Sequence, residues 1–207
     1  MALRLFDFNI ASKIAILGGI ITYAGIFTAI ALSQSWFTWT NNALSDLGVH
    51  DAAIVFNTSL FIGGISTGIF GISYILKKRG QILPLLAGID IFLQGIALFC
   101  IGLFVEETYW GSINLHYSFS VMFFVLIPFS MWFTAIDWIL KPETRKLVFI
   151  PLILSVITPA LWLGIKWNGV AIPEFITSLT FMIWVLFLIF LEYRGNSESG
   201  VYDVEIA

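Results

Sequence analysis

The chain has 207 residues, of which 59% are hydrophobic and only 11% charged, with a mean hydropathy of +0.95. Soluble domains carry about 25% charged residues, so a water-soluble fold of this length could not hide its apolar surface, and lipid must act as solvent. The net charge of −3 speaks against a nucleic-acid partner, and the single cysteine, Cys100, rules out an intrachain disulfide.

A helix that crosses a membrane needs about 20 apolar residues. Six segments qualify, at roughly 14–34, 52–76, 82–104, 116–138, 147–165 and 174–192. Arg4 and Lys13 precede the first. Its long apolar run ends in Ser33-Gln34-Ser35-Trp36 without an Ala-x-Ala cleavage site, so it is expected to remain a span.

The connection 35–51 carries Asp46 and Asp51 and no Lys or Arg. Within it Asn41 and Asn42 can cap a short helix, Leu44 and Leu47 give that helix an apolar side, and Gly48 can end it. A helix continuing beyond Gly48 would put Asp46 and His50 on one face. Asp51 is placed to cap the second span. That span has two rows of small residues, Gly64 with Gly68 and Gly63 with Thr67 and Gly71. In lipid, such rows let helix backbones approach closely. The span is expected at the centre of the bundle, its rows packing within the chain rather than at the dimer interface of a homo-oligomer. Asn57 lies about a turn and a half into the span.

The turn 77–81 is basic, with Lys77, Lys78 and Arg79. Pro84 falls in the first turn of the third span, where it is tolerated. Asp90 lies about two turns in, with Gln94 one turn further on the same face. An ionised Asp at that depth costs about 2.5–3.5 kcal/mol on insertion scales unless paired or hydrated. Two readings follow: hydrogen-bonding between helices, or a proton- or ion-linked polar track. The loop 105–115 carries Glu106 and Glu107, and His116 opens the fourth span. Pro128 in the fourth span and Pro159 in the fifth should kink their helices. Lys141, Arg145 and Lys146 separate those spans, and Asp137 can reach Lys141. Lys166 is the lone cation before the sixth span, which opens near Glu174. Residues 195–207 read as a polar tail.

Nine of the ten Lys and Arg residues therefore fall on one side: Arg4, Lys13, Lys77, Lys78, Arg79, Lys141, Arg145, Lys146 and Arg194. The positive-inside rule puts that side, and both termini, in the cytoplasm. Trp36, Trp39, Tyr109, Trp110 and Trp167 are expected at the outer interface, and Tyr74, Trp138 and Tyr193 at the inner one. The expected architecture is all-α: a polytopic membrane helical bundle with six transmembrane helices over 1–194 and a polar cytoplasmic tail over 195–207, multi-pass in the cell membrane.

Both His residues and five carboxylates (Asp46, Asp51, Glu106, Glu107 and Glu174) fall on the outer side. Asp46, His50 and His116 are the candidate metal ligands, and Glu106 or Glu107 the added ligand or general base. A divalent metal is the only cofactor this set suggests, and the plainer reading is solvated loop carboxylates with His residues that cap helices or hydrogen-bond at the interface. Asn41, Asn42, Ser45, Asn57, Asp90 and Gln94 are candidate lipid- or substrate-binding residues.

At Asn42-Ala43-Leu44-Ser45-Asp46-Leu47-Gly48, followed by Phe56-Asn57 and the Gly-rich second span, the chain resembles a prokaryotic family of six-span membrane proteins, domain of unknown function 998. Trp36-Phe37-Thr38-Trp39 and His116-Tyr117 fit the same pattern. The resemblance implies topology and carries no chemistry. Ser45, Asp46, His50 and His116 are also distantly similar to the site of transmembrane hydrolases related to alkaline ceramidases, which hold zinc with three His. This chain departs from them in having two His.

Three functions compete. The first is an integral membrane protein that binds lipid or a protein partner at the extracytoplasmic face. The second is a membrane-embedded, metal-dependent hydrolase or lipid-remodelling enzyme. The third is a proton-coupled small-solute transporter using Asp90.

Overall fold

In the computed structural model residues 6–204 are described, and beyond Arg194 only the backbone. Arg4 and the last residues of the expected tail, 205–207, lie outside the described residues. The chain is helical, with six helices long and apolar enough to cross a membrane: α1 (Phe8–Leu32), α2 (Ala53–Lys77), α3 (Ile82–Leu103), α4 (Leu115–Leu140), α5 (Phe149–Gly164) and α6 (Ala171–Val204). It is a multi-pass membrane protein.

Two boundaries depart from the sequence expectation. α1 starts earlier because Asp7 caps it, accepting from Asn9 N at 3.0 Å and Ile10 N at 3.2 Å. Lys13 therefore lies within the helix, exposed, rather than ahead of it. α6 runs on past Arg194 to Val204, so the helix carries into the expected tail.

Successive helices pack as neighbours, and α6 returns to touch α1 and α4. The α1–α2 and α2–α3 seams are built on small residues spaced seven apart. On α1, Gly18 and Gly25 face Ser66 and Ser59 of α2. On the other side of α2, Gly64 and Gly71 meet the backbone of Phe99 and Phe92, while Gly88, Gly95 and Gly102 of α3 meet α2 in return. A Cβ on Gly71 would lie 2.6 Å from Phe92 N, and one on Gly102 2.6 Å from Asn57 O, so both positions require glycine for contact alone. Thr22 strengthens the first seam by donating to Ser59 O at 3.1 Å. The expected small-residue rows thus find their partners inside the chain.

One end of the bundle is basic. There Lys77 pairs with Glu192 at 3.3 Å, Lys78 pairs with the same carboxylate, and Lys141 reaches Asp137 at 2.8 Å and Gln81 at 2.9 Å. Tyr193 donates to Asn9 O at 3.3 Å, which brings α1's start and α6's outgoing turn together. Tyr74 and Trp138 depart from the expected interfacial belt: both are buried, Trp138 against Trp184 and Tyr74 against Phe70. The opposite end carries the loops 33–52, 104–114 and 165–170 and is acidic.

Candidate functional site

The loop 33–52 folds over the acidic end as a cover. Phe37, Leu44 and Leu47 are buried beneath it. Its polar residues tie the loop to itself. Asn42 Oδ1 accepts from Thr38 N at 3.0 Å, and Asp46 Oδ2 accepts from Asn42 Nδ2 at 2.8 Å and Ala43 N at 3.0 Å. The expected short helix is a 3-10 turn, Ser45–Gly48. Neither Asn41 nor Asn42 caps it, since the preceding position is Leu44. Asp51 does not cap α2 either; Ala52 occupies that position without a side-chain bond. Asn57 Nδ2 donates to Gly48 O at 2.8 Å, which pins the end of the turn to α2.

Three bonds fasten the cover to the start of α6. Gly169 N donates to Thr40 O and Ala171 N to Asn42 O, both at 2.8 Å, and Leu44 N donates to Glu174 Oε2 at 2.6 Å. Glu174 is buried, so its carboxylate is committed to this interior contact.

The second loop supplies the facing wall. Tyr109–Trp110 (β1) pairs antiparallel with Ile113–Asn114 (β2) around Gly111, whose φ of 63° suits a two-residue hairpin turn. Asn114 then caps α4, accepting from Tyr117 N at 2.9 Å, and donates to Glu106 O at 2.7 Å. His116 follows. Its Nδ1 lies 2.7 Å from Phe104 O, a carbonyl just past the end of α3. A carbonyl can only accept, so Nδ1 carries the proton, and in that neutral tautomer Nε2 is left as a lone pair. Nε2 is buried and has no partner among the described residues.

Two cavities meet at this point. The larger, about 810 Å³, is a groove between α4 and α5 beneath the loops. Its polar mouth holds Ser45, Glu106, Glu107, His116 and Glu174, and Phe124, Pro128, Trp132, Pro159 and Trp162 line the rest. The smaller, about 90 Å³, lies inside the bundle among α1, α2, α3, α4 and α6. His116, Ser120, Phe124, Ser45 and Glu174 line both. The two mid-helix prolines, marked in the sequence as kink sites, thus both face the groove.

Of the sequence candidates, Ser45, Glu106, Glu107 and His116 come together here. Asn41, Asn42 and Asp46 belong to the cover. His50 packs edge-on against Trp36 with ring centroids 4.4 Å apart and is exposed. Asp46, His50 and His116, the expected metal set, occupy three separate environments, and no group of three or more His, Cys, Asp or Glu side chains among the described residues is placed to hold a metal ion. Asp90 lines neither cavity. It is buried between α3 and α4, accepting from Gln94 Nε2 at 2.6 Å and from Ser130 N at 3.1 Å. Ser130 lies two residues past Pro128, and its N–H ties the α4 backbone to the Asp90 carboxylate across the α3–α4 seam.

The site residues beyond the sequence candidates are Ser120, Trp132, Thr158, Trp162 and the buried role of Glu174. A signal for α4 exists: His116, Ser120, Phe124, Pro128 and Trp132 repeat every four residues and so form one continuous ridge along the helix.

The chain belongs to the family described as "Protein of unknown function (DUF998)", whose model matches residues 16–191. No curated protein and no solved structure matches the chain.

Proposed function

We propose that this protein sits in the cell membrane and holds one lipid-like amphiphile in the groove between α4 and α5. The head lies at the acidic end and the chain runs past Pro128 to Trp132. The observation that carries the reading is the shape of the 810 Å³ groove, polar at its mouth and apolar along its length apart from Thr158. Ligand pockets commonly enclose about 300–1,000 Å³. From His116 to Trp132 the helix rises about 24 Å, most of the ~30 Å hydrocarbon thickness. Val121, Val125, Phe129 and Trp132 are exposed along one side, so a chain can enter from the bilayer. The positive-inside rule places the acidic mouth away from the cytoplasm.

The test is to purify the wild type and Val125→Trp from native membranes in mild detergent and quantify retained lipid per chain by mass spectrometry. Val125 is exposed, so added bulk fills the groove without crowding the core. The wild type should retain a lipid that the variant largely loses, with equal melting temperatures. Equal retention, or no lipid on either, would contradict the proposal.

A further inference from the structure

We propose that the groove selects an amphiphile whose head is a protonated amine bearing N–H donors, in preference to an anionic, uncharged or quaternary head. This rests on the groove being a binding site.

Three observations converge. The mouth is lined by the carboxylates of Glu106 and Glu107, with the buried Glu174 beneath them already engaged by Leu44 N, and no Lys or Arg lines either cavity. A cation is therefore favoured and an anion repelled. Second, two of the side-chain N–H groups near the mouth already have partners, Asn114 Nδ2 on Glu106 O and Trp162 Nε1 on Thr177. A phosphate or carboxylate at the mouth would meet mostly acceptors. Third, His116 is only 6% exposed, its Nδ1 is held by Phe104 O, and its Nε2 has no partner. Buried polar atoms are nearly always satisfied, and an open Nε2 lone pair where the two cavities meet calls for a donor. A primary ammonium offers N–H groups to Nε2 and charge to the carboxylates. A quaternary ammonium offers only the charge.

The experiment titrates the full chain in detergent with hexadecylamine, hexadecyltrimethylammonium, hexadecanol and palmitate, reading bound ligand by native mass spectrometry. The amine should bind about tenfold more tightly than the alcohol and the quaternary ion. His116→Ala should abolish the preference over the quaternary ion. Glu107→Gln, at an exposed position, should reduce the preference over the alcohol severalfold. A second arm compares phosphatidylethanolamine with phosphatidylcholine of matched chains. A preference for the ethanolamine lipid identifies an aminophospholipid as the source. Preference for hexadecylamine alone identifies a phosphate-free amine. Equal binding of amine and alcohol, tightest binding of palmitate, or preference for choline over ethanolamine would overturn the head-group assignment and leave the groove standing. Binding of none of these amphiphiles would overturn the groove as well.

Discussion

His116 and Glu174 each join a loop to the helices while facing a cavity. Glu174 takes the Leu44 N–H at 2.6 Å, and that bond holds the cover over the bundle. Glu174→Leu should destabilise the protein by about 1–3 kcal/mol, because a buried N–H is left without a partner. Glu174→Gln, which retains an acceptor, should lose much less; thermal unfolding of both variants in detergent checks this. The same logic applies to Asp90. Its bonds to Gln94 and Ser130 N are internal, so Asp90→Leu should cost about 1–3 kcal/mol and Asp90→Asn less. Equal loss in both Asp90 variants would instead tie stability to the charge. Residue chemistry was only partly legible in the sequence. Asp90 and Gln94 stood out because polar groups are rare at that depth. The environment of His50 did not, because nothing local says that its ring meets Trp36 at 4.4 Å rather than a carboxylate.

Among the elements, the seams around α2 set the geometry. α2 is flanked by α1 and α3 through rows of Gly and Ser at seven-residue spacing, which keep the three backbones close. A Cβ on Gly95 would lie 2.5 Å from Gly68 N. Gly95→Ile should therefore cost about 1–3 kcal/mol or more by overpacking. Gly164→Ile, at a site with nothing within 4 Å, should be close to neutral, and paired melting curves decide it. The rows of α2 could be read from the sequence because Gly64, Gly68 and Gly71 crowd one span. The spacing of Gly88, Gly95 and Gly102 was equally regular, but wide intervals in an apolar run attract less notice. The start of α1 was missed for a different reason: Asp7 sits among apolar residues, and hydropathy does not register a cap. The β1–β2 hairpin is signalled only by Tyr109-Trp110-Gly111 and two following residues, too short a pattern to outweigh a loop.

At the scale of the whole molecule, charge separates the two ends and packing separates the two sides. Basic residues and their carboxylate partners close one end, while the other gathers Glu106, Glu107, Glu174 and His116 around a groove. α5 is the least buried of the spans, with only Pro151, Ser155 and Thr158 fully covered along it. That open flank gives the groove its access to the bilayer. The six-span bundle was legible from composition and charge because lipid imposes length and hydropathy on every span. The groove was not, since it depends on how far α4 and α5 stand apart, which neither helix encodes alone. The most direct measurement reconstitutes the protein in liposomes containing a lipid with a photoreactive diazirine in its acyl chain and maps the cross-linked peptides. Labelling concentrated on α4 between 121 and 132 and on α5 between 158 and 163 is the expected result. Labelling spread evenly over other lipid-facing positions, such as Leu17, Ile20 and Phe27 of α1, would contradict an amphiphile held in the groove.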